Sequence, residues 1–389
     1  MGKSRRKIRV GVLFGGRSGE HEISLRSALT VISAIDRSRY EIVPIAIGRD
    51  GRWYLETDAI TMLGKAAPRL AALKRTGLPI SLLPYPDSRA LVSNPANGRS
   101  AIQMNSAAKA MLSPLDVVFP VLHGTFGEDG TIQGLLDLAG VPYVGAGVLG
   151  SAIGMDKDVQ KRLLRDSGLP VVRYAAVRDI DYRENPATVR RLAADLGWPV
   201  FVKPNALGSS IGITCVKSAR QLPKALEEAF RYDRKALIEA ACQGRELECA
   251  VLGNERPQAS IVGEIVVRSR DGFYSYQSKY VDDDGAAIEI PASLPSAAAE
   301  RIRELALAAF TTLELRGMAR VDFLARSDLS EIYINEVNTI PGFTSISMYP
   351  KLWETSGLPL PKLIDRLIAL ALEDHRARRR LKFTYQPRL

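Results

Sequence analysis

The sequence that sets the fold of the first part of the chain is IRVGVLFGGRSGEHEISLRSALTVISAI, at residues 8–35. Its apolar opening, Ile8 to Phe14, predicts a strand, the glycines behind it predict a turn, and the apolar spacing from about His21 to Ile35 predicts a helix. A second apolar run, Glu41 to Ile47, predicts the next strand. Together these pieces predict a βαβ unit at the start of the protein.

Strands alternate with helices through most of the remaining sequence, which predicts an α/β and α+β fold. Residues 50–110 are polar, contain prolines and give no definite prediction. The further predicted strands are 116–122, 141–144, 171–177, 200–203, 213–216, 236–239, 247–252, 260–267, 319–325 and 331–337. The further predicted helices are one that ends at Leu138 and those at 156–167, 187–196, 219–231, 296–314 and 359–373.

The length of 389 residues corresponds to two or three domains at roughly 150 residues each. Hydrophobic residues make up 46% and charged residues 25%, which excludes a disordered chain and a fibrous repeat.

The sequence has no apolar run near the ~18 residues of a membrane span and no signal-like start, so we expect a cytoplasmic protein without membrane insertion. Its three cysteines, Cys215, Cys242 and Cys249, form neither an even set nor a CxxC pair, and we expect them to be small buried residues.

The net charge of +10 is concentrated at the two ends of the chain. Five cations lie in residues 1–9 and six in residues 375–389, and without these eleven the net charge would be −1. A body that is nearly neutral favours solvated basic ends over a nucleic-acid surface. We therefore expect no nucleic-acid partner.

Several familiar motifs are weak or missing. The glycines at 145–150 match GxGxxG after a predicted strand, but a dinucleotide site also needs an acidic residue about 20 positions on, at the end of the next strand, and Asp166 lies in a helix pattern. We therefore interpret these glycines as a joint between domains. The sequence contains no GxxxxGK[ST], G-x-S-x-G or HExxH motif, so P-loop, serine hydrolase and zincin chemistry lack support.

The loop from Lys203 to Gly212 joins two predicted strands and is rich in small residues, including Ser209 and Ser210. Small residues let backbone N–H groups and hydroxyls approach an anion closely, and a lysine stands at the start of the loop. A phosphate-binding loop and an ordinary Gly/Ser hairpin both fit this segment when it is considered alone.

The strongest constellation is Asp322 with Glu336 and Asn338. Residues 336 and 338 lie two apart on a predicted strand and so share one face, and Asp322 lies on the strand before. Two carboxylates and an amide oxygen are hard ligands that suit Mg²⁺ or Mn²⁺. Acidic residues on strands often decorate a surface, but the apolar neighbours here favour a buried site, where carboxylates need a cation.

Three other features are candidates for function. The polar segment 270–288, with Lys279 and Tyr280, is typical of a lid, although a solvated loop is the ordinary interpretation. His21 and His123 fall at predicted strand-to-helix turns, where ligands often bind in α/β proteins.

The sequence resembles the D-alanine-D-alanine ligases of the ATP-grasp superfamily from about Val10 to Leu372. The resemblance rests on the order and content of seven blocks, which are 15–24, 123–130, 155–157, 203–212, 279–280, 320–322 and 336–345. It implies a three-domain chain with an N-terminal α/β substrate-binding domain (1–145), a central ATP-grasp subdomain (146–240) and a C-terminal ATP-grasp subdomain with the metal site and lid (241–389). It also implies a homodimer, and ATP bound between the last two domains.

In this family ATP first phosphorylates the carboxylate of one D-alanine, and the amine of a second D-alanine then attacks the acyl phosphate and expels phosphate. Two anions must meet, so positioning and charge neutralisation carry the catalysis. By the resemblance, the phosphates of ATP are bound by Lys157, Lys203, Lys279, Ser209 and Ser210, and its adenine and ribose by Glu239 and Glu246. Two Mg²⁺ (or Mn²⁺) ions are held by Asp322, Glu336 and Asn338. The first D-alanine is bound by Glu20 and His123, the oxyanion by Arg320 and the backbone N–H of Gly342, and the second D-alanine by Ser347.

The resemblance further implies a hydrogen-bonded chain of Tyr280, Ser209 and Glu20 that closes the lid and keeps water from the acyl phosphate. Relatives that make D-alanyl-D-lactate lack a tyrosine at this point, so Tyr280 favours an amine as the attacking group. Ligation to D-lactate or D-serine, as in vancomycin resistance, is the alternative activity. A non-catalytic nucleotide-binding protein is less favoured, because every ligand and lysine position is filled. Ala240 stands where some relatives carry a lysine beside the adenine.

Overall fold

The described residues form three sheets, and the first has the strand order β5-β4-β3-β2-β1-β6. The computed structural model describes residues 6–56, 77–86, 89–93, 112–267, 286–382 and 384–385. The strands of this sheet are β1 (Ile8–Gly15), β2 (Tyr40–Ile47), β3 (Trp53–Leu55), β4 (Leu78–Leu82), β5 (Leu91–Ser93) and β6 (Val117–Val121). Strand β1 pairs in parallel with both β2 and β6, and helix α1 (His21–Ala34) connects β1 to β2. The predicted βαβ unit is therefore confirmed.

Alternating residues of this sheet fill two different cores. Val10, Val12 and Phe14 face helix α1, whereas Leu13 faces the opposite side, which helix α2 (Thr131–Leu138) covers. This alternation is the period of two that a strand imposes on its side chains.

The second sheet is antiparallel, with the order β7-β10-β8-β9. Its strands are β7 (Tyr174–Arg178), β8 (Val200–Pro204), β9 (Thr214–Val216) and β10 (Lys235–Ala240). Helices α3 (Val148–Met155) and α4 (Lys157–Asp166) precede this sheet in the chain. Helices α5 (Asp179–Glu184) and α6 (Pro186–Leu196) lie between β7 and β8 in the sequence, and helix α7 (Leu222–Phe230) lies between β9 and β10. Apolar residues of α6 and α7 pack on one face of this sheet to form a core of its own.

The third sheet is also antiparallel, with the order β13-β12-β11-β14-β15. Its strands are β11 (Arg245–Gly253), β12 (Gln258–Val267), β13 (Ala286–Glu289), β14 (Gly317–Ala325) and β15 (Ile332–Asn338). Helix α8 (Ser296–Thr312) covers one face, and α9 (Met348–Thr355) and α10 (Leu360–Arg378) cover the other. Apolar residues of the sheet are thus buried on both of its faces.

The first and third sheets share a core through helix α10. Leu363, Ile364 and Leu367 pack in one apolar cluster with residues of α1 and of β11. Ion pairs from Arg39 to Asp365 and from Arg378 to Asp137 join the same helix to the first sheet and its neighbour α2. Helix α10 therefore packs against elements of both the first and the third sheet.

The structure corrects several predictions of local structure. Residues 141–144 form no strand, because Tyr143 makes only a single bridge to Val118. The predicted joint at 145–150 overlaps helix α3, which was not predicted because its glycines disfavour a helix. The strand predicted at 171–177 begins later, because Val171 forms only a bridge to Ile334 and β7 starts at Tyr174. Helices α5 and α9 and strand β13 were not predicted, and neither were β3, β4 and β5 in the region 50–110.

Two further corrections concern the end of the chain and the cysteines. Helix α10 continues to Arg378, so that part of the predicted basic tail is helical. Cys249 is buried as predicted, whereas Cys215 and Cys242 are only half-buried. Within the described residues, no helix is long and apolar enough to cross a membrane.

Candidate active site between the three sheets

The loop between β8 and β9 reaches from the second sheet to the start of helix α1. Its backbone turns through the left-handed region at Ser209 and Ser210, where φ is +54° and +57°. This turn lets the Ser209 hydroxyl donate a hydrogen bond to Oε1 of Glu20. Lys157, at the first position of α4, donates from Nζ to the carbonyl of Leu207 at 2.9 Å. The loop is therefore tied both to the first sheet and to helix α4.

Buried lysines line the cleft between the second and third sheets. Nζ of Lys203 lies 2.7 Å from Oε2 of Glu239, and Nζ of Lys161 lies 3.2 Å from Oε1 of the same carboxylate. Lys161 also donates to the carbonyl of Asn335 on β15 at 3.0 Å, and its side chain is 0% exposed. One carboxylate is thus shared by two cations, and one of these cations bridges the two sheets.

The environment shifts the pKa of both partners. Burial lowers the pKa of Lys161 to about 8, against the attraction of Glu239. Burial by itself would raise the pKa of Glu239, but Lys161 and Lys203 outweigh burial and hold it below its ordinary value. Sequence reasoning missed Lys161, although its spacing of four residues from Lys157 places both on one face of a helix.

Three carboxylates lie in a row across the third sheet. Glu248 on β11 is opposite Asp322 on β14, which is opposite Glu336 on β15. Like charges directly opposite one another destabilise a sheet unless cations compensate them. Arg320 binds Asp322 with two hydrogen bonds of 2.7 Å and lies 2.9 Å from Glu248, and Nζ of Lys157 lies 3.5 Å from Glu336.

These carboxylates act strongly on Arg320. Burial would lower the pKa of its guanidinium, but Asp322 and Glu248 outweigh burial and raise it well above its ordinary value. Sequence reasoning missed Glu248. The signal that could have found it is a charged residue within an otherwise apolar, buried strand pattern.

The same row has the donor chemistry of a divalent metal site. The amide of Asn338 donates to Oδ2 of Asp322 at 2.9 Å, so that Asn338, Asp322 and Glu336 lie together on one face. In the part of the chain that the structure describes, no three His, Cys, Asp or Glu side chains are arranged as a complete ligand set. The two carboxylates and the amide oxygen suit Mg²⁺, which would need further oxygens from a bound phosphate.

At the other end of the cleft, Glu20 precedes helix α1 and lies against a glycine. A Cβ at Gly124 would be 2.6 Å from Oε2 of Glu20, and φ of Gly124 is +71°, so the approach requires glycine.

Nearby, Oε2 of Glu128 accepts from the N–H of Gly124 at 2.8 Å. Burial, and then the charge of Glu20, raise the pKa of Glu128 to about 8. Sequence reasoning missed this second carboxylate although it lies within the block 123–130.

Both ring nitrogens of His123 are engaged by the protein. Nδ1 lies 3.0 Å from the carbonyl of Ile340 and Nε2 lies 3.2 Å from the hydroxyl of Ser27. Since a carbonyl can only accept, Nδ1 carries the hydrogen and Nε2 accepts from Ser27. Burial lowers the pKa of His123, which fits this neutral ring. His21, by contrast, uses Nδ1 to close its own turn on the carbonyl of Gly16 at 2.8 Å.

The loop after β15 completes the site. Oγ of Ser347 accepts from the N–H of Thr344 at 3.0 Å, and a Cβ at Gly342 would lie 2.7 Å from that oxygen. A side chain at position 342 would therefore displace Ser347. Glu246 lies on β11, two residues before Glu248 and thus on the same face of the strand.

The predicted site residues are thus mostly near one another, in two groups. Around the cleft between the second and third sheets lie Lys157, Lys203, Glu239, Arg320, Asp322, Glu336 and Asn338. Toward the first sheet lie Glu20, His123, Ser209 and the loop with Gly342. Lys279 and Tyr280 lie outside the described residues.

Comparisons with known proteins find similar sequences over most of the chain. Two family models match the chain, one described as D-ala D-ala ligase N-terminus over residues 9–146 and one as D-ala D-ala ligase C-terminus over residues 163–369. D-alanine--D-alanine ligase A of Chromobacterium violaceum is 48% identical over 371 residues, which cover 95% of this chain and 96% of that protein. D-alanine--D-alanine ligase A of Salmonella typhimurium is 45% identical over 379 residues, with coverage of 97% and 99%.

Solved structures of two ligases are also similar to this chain. The D-alanine-D-alanine ligase from Coxiella burnetii superposes with a TM-score of 0.79 at 37% identity and covers 97% of both chains. VanG D-Ala:D-Ser ligase from Enterococcus faecalis also superposes with a TM-score of 0.79, at 35% identity, over 94% of this chain and 100% of that one.

Proposed function

This chain belongs to the D-alanine-D-alanine ligase family, and we propose that it uses ATP to join two D-alanine molecules, releasing ADP and phosphate, for peptidoglycan precursors. The observation that carries the proposal is the hydrogen bond from Ser209 to Glu20. It connects the loop suited to phosphate with the carboxylate suited to an ammonium group. A phosphoryl donor and an amino acid would therefore meet in one cleft, as carboxylate activation requires.

The phosphates of ATP would bind Lys157, Lys203, the backbone N–H of Ser209 and the hydroxyl of Ser210. Lys157 lies 3.5 Å from Glu336 and can exchange that partner for a phosphate, which a polyanion would favour. Glu239 and Glu246 would contact adenine and ribose, as the family resemblance implies. Lys279 would approach the phosphates from the lid.

Asp322, Glu336 and Asn338 would hold two Mg²⁺ or Mn²⁺ ions. Such ions neutralise the charge on the transferred phosphoryl group and help to orient it. The opposed carboxylates supply negative charge for this purpose, and Arg320 and Lys157 compensate them when no metal is bound.

The two amino acids would bind toward the first sheet. Glu20 would hold the ammonium of the first D-alanine, His123 would orient that molecule from its fixed position, and Ser347 would bind the carboxylate of the second. Arg320 and the N–H of Gly342 would stabilise the oxyanion of the tetrahedral intermediate. A guanidinium has five N–H donors, so that Arg320 can keep its carboxylate partners and still donate to an oxyanion.

The decisive experiment measures phosphate release with ATP, Mg²⁺ and D-alanine, together with chromatographic identification of the dipeptide. We expect turnover with D-alanine alone, and its absence would reject the function. Replacing part of the D-alanine with D-lactate or D-serine at neutral pH tests the acceptor, and preferential formation of the ester or of the D-serine product would reject the D-alanine preference.

The Tyr280→Phe variant tests the same preference. We expect it to weaken discrimination against D-lactate, because the phenol hydroxyl would take part in the chain through Ser209 to Glu20. The measurement is the ratio of ester to amide product in mixed substrates, with Tyr385→Phe as a matched control at an exposed tyrosine. An unchanged ratio would remove Tyr280 from acceptor selection.

The broader organisation is part of the same proposal. The three successive sheets support a division into domains 1–145, 146–240 and 241–389. The family resemblance supports a homodimer in the cytoplasm, which analytical ultracentrifugation and cell fractionation would test.

A further inference from the structure

Side chains from the first third of the chain hold the segment Ile340–Phe343, which carries Gly342. The N–H of Ile340 donates to Oε1 of Glu128 at 3.0 Å, and its carbonyl accepts from His123 at 3.0 Å. The residues in each pair are more than 200 positions apart in sequence. The segment is therefore fixed by tertiary contacts at its first residue.

The far end of the segment is held in a similar way. The N–H of Phe343 donates to the hydroxyl of Ser27 at 3.2 Å, and the same hydroxyl donates to Nε2 of His123. Ser27 is 0% exposed on helix α1, and the Phe343 ring packs edge-on against Phe119. Both ends of the segment are thus bound to the first sheet and its helix.

Gly342 lies between these two attachments. Pro341 has no N–H, and the N–H groups of Ile340 and Phe343 are bound by Glu128 and Ser27. Among the described residues, none accepts a hydrogen bond from the N–H of Gly342. The attachments therefore leave one backbone donor of this segment available to a substrate oxygen.

We propose that Glu128 is a positioning residue which, together with Ser27, fixes the Ile340–Phe343 backbone so that the N–H of Gly342 is oriented for the oxyanion. This inference rests on the proposed function. Glu128 is suited to the task because each of its oxygens accepts one N–H, from Gly124 at 2.8 Å and from Ile340 at 3.0 Å. Gly124 in turn lies against Glu20, so one carboxylate connects the first-substrate end with the oxyanion segment.

The test uses Glu128→Gln, which keeps the size of the side chain but replaces one acceptor oxygen with an NH₂ group. Either Gly124 or Ile340 then loses its acceptor. We expect kcat to fall about 30-fold with KM for ATP within about twofold of wild type, because a misplaced oxyanion donor affects mainly the transition state. The affinity for a tetrahedral phosphinate analogue of the dipeptide should fall by a similar factor.

Asp129→Asn is the matched control. Asp129 also accepts backbone N–H groups, from Phe126 at 2.8 Å and from Thr131 at 3.0 Å, but these lie in its own loop. We expect kcat of this variant within about threefold of wild type. An equal loss in both variants, or a change in KM for ATP without a change in kcat, would overturn the positioning role.

Hydrogen exchange separates this inference from the proposed function. The amides of Ile340 and Phe343 should exchange faster in Glu128→Gln than in wild type and at the wild-type rate in Asp129→Asn. Ser27→Ala should also accelerate exchange, and it provides the test if Glu128→Gln does not fold. Unchanged exchange in the folded variants would overturn the inference, even if the wild-type protein ligates D-alanine. Failure of the wild-type protein to ligate would instead reject the function.

Discussion

The cleft has a side proposed for the nucleotide and a side proposed for the amino acids. On the nucleotide side, charged side chains pair mainly with one another. On the amino-acid side, carboxylates and a histidine bind mainly backbone groups. The nucleotide side is formed by Lys157, Lys161, Lys203, Glu239 and Glu336, with the pairs Lys203–Glu239 at 2.7 Å, Lys161–Glu239 at 3.2 Å and Lys157–Glu336 at 3.5 Å. The amino-acid side is formed by Glu20, His123, Glu128 and the segment 340–343, with contacts to the N–H of Gly124 and to both backbone groups of Ile340.

This difference matches the chemistry of the two groups that would bind. A flexible lysine can exchange a carboxylate for a phosphate without moving the backbone, so the nucleotide side can be charged and compact before ATP arrives. A developing oxyanion instead needs a donor that is already in place, because reorganisation during the reaction would raise the barrier. Substitutions on the two sides should therefore change different kinetic constants.

The largest effect is expected for Glu336→Gln. This variant removes the carboxylate that pairs with Lys157 and lies opposite Asp322, and with it one proposed metal ligand. We expect kcat to fall about 10³-fold, comparable to the loss of a principal electrostatic group, and the requirement for Mg²⁺ to rise. Phosphate release across a Mg²⁺ titration provides the measurement.

Stability measurements identify the cause of that loss. Thermal unfolding of Glu336→Gln should lie within a few degrees of wild type, because the change relieves repulsion with Asp322 across the sheet. Glu331→Gln, at a surface ion pair with Arg326 just before the same strand, is the matched control and should retain activity. A fully active Glu336→Gln variant would contradict the metal assignment.

A smaller effect, on ATP binding, is expected for Lys161→Met. Without Lys161, Lys203 is the one remaining cation among the described residues that forms an ion pair with Glu239, and it should stay on that carboxylate instead of turning to the phosphates. We expect KM for ATP to rise about tenfold while KM for D-alanine stays within twofold, since one charge-assisted contact is worth about 1.5 kcal/mol or more.

Steady-state kinetics with each substrate varied in turn provide the test. Lys224→Met, at an exposed lysine on α7, is the control for the loss of one positive charge and should behave as wild type. An equal rise in both KM values would show that Lys161 supports the fold generally and not the nucleotide side in particular.

The sequence predicted the parts of the site that depend on local pattern. Asp322, Glu336 and Asn338 could be assigned to one sheet face because side chains alternate along a strand, and the predicted strands agree with β14 and β15. The same alternation and helical spacing predicted the βαβ unit, with ends within one residue of the observed ones.

The rest depends on contacts between distant segments. Lys161 and Glu239 are 78 residues apart, and Glu128 and Ile340 are 212 apart, so no local pattern brings either pair together. Helix α3 escaped notice because Gly150 and Gly154 weaken its propensity, while burial of Gly150 and Ser151 stabilises it in the fold. Residues that position others were thus missed more often than residues that would contact the ligand.

The smallest effect concerns the amino-acid side and is a dependence of stability on pH. The pKa of Glu128 is raised from 4.5 to about 8, so that between these values the folded protein keeps a proton that the unfolded chain releases. The contribution of Glu128 to the free energy of unfolding should therefore fall as the pH rises from about 4.5 to about 8 and should be flat outside that window, whereas His123, whose pKa is lowered, contributes in the opposite direction. We expect a decline on the order of 1 kcal/mol or more, since each pKa unit of difference between the folded and unfolded states is worth about 1.4 kcal/mol. Denaturant unfolding at pH 5, 6, 7 and 8 gives the difference in free energy of unfolding between wild type and Glu128→Gln, which should show this decline, and Asp129→Asn, which leaves Glu128 in place, should follow the pH dependence of wild type. If Glu128→Gln declines as steeply as wild type, Glu128 does not titrate in this window and the amino-acid side is charged like the nucleotide side.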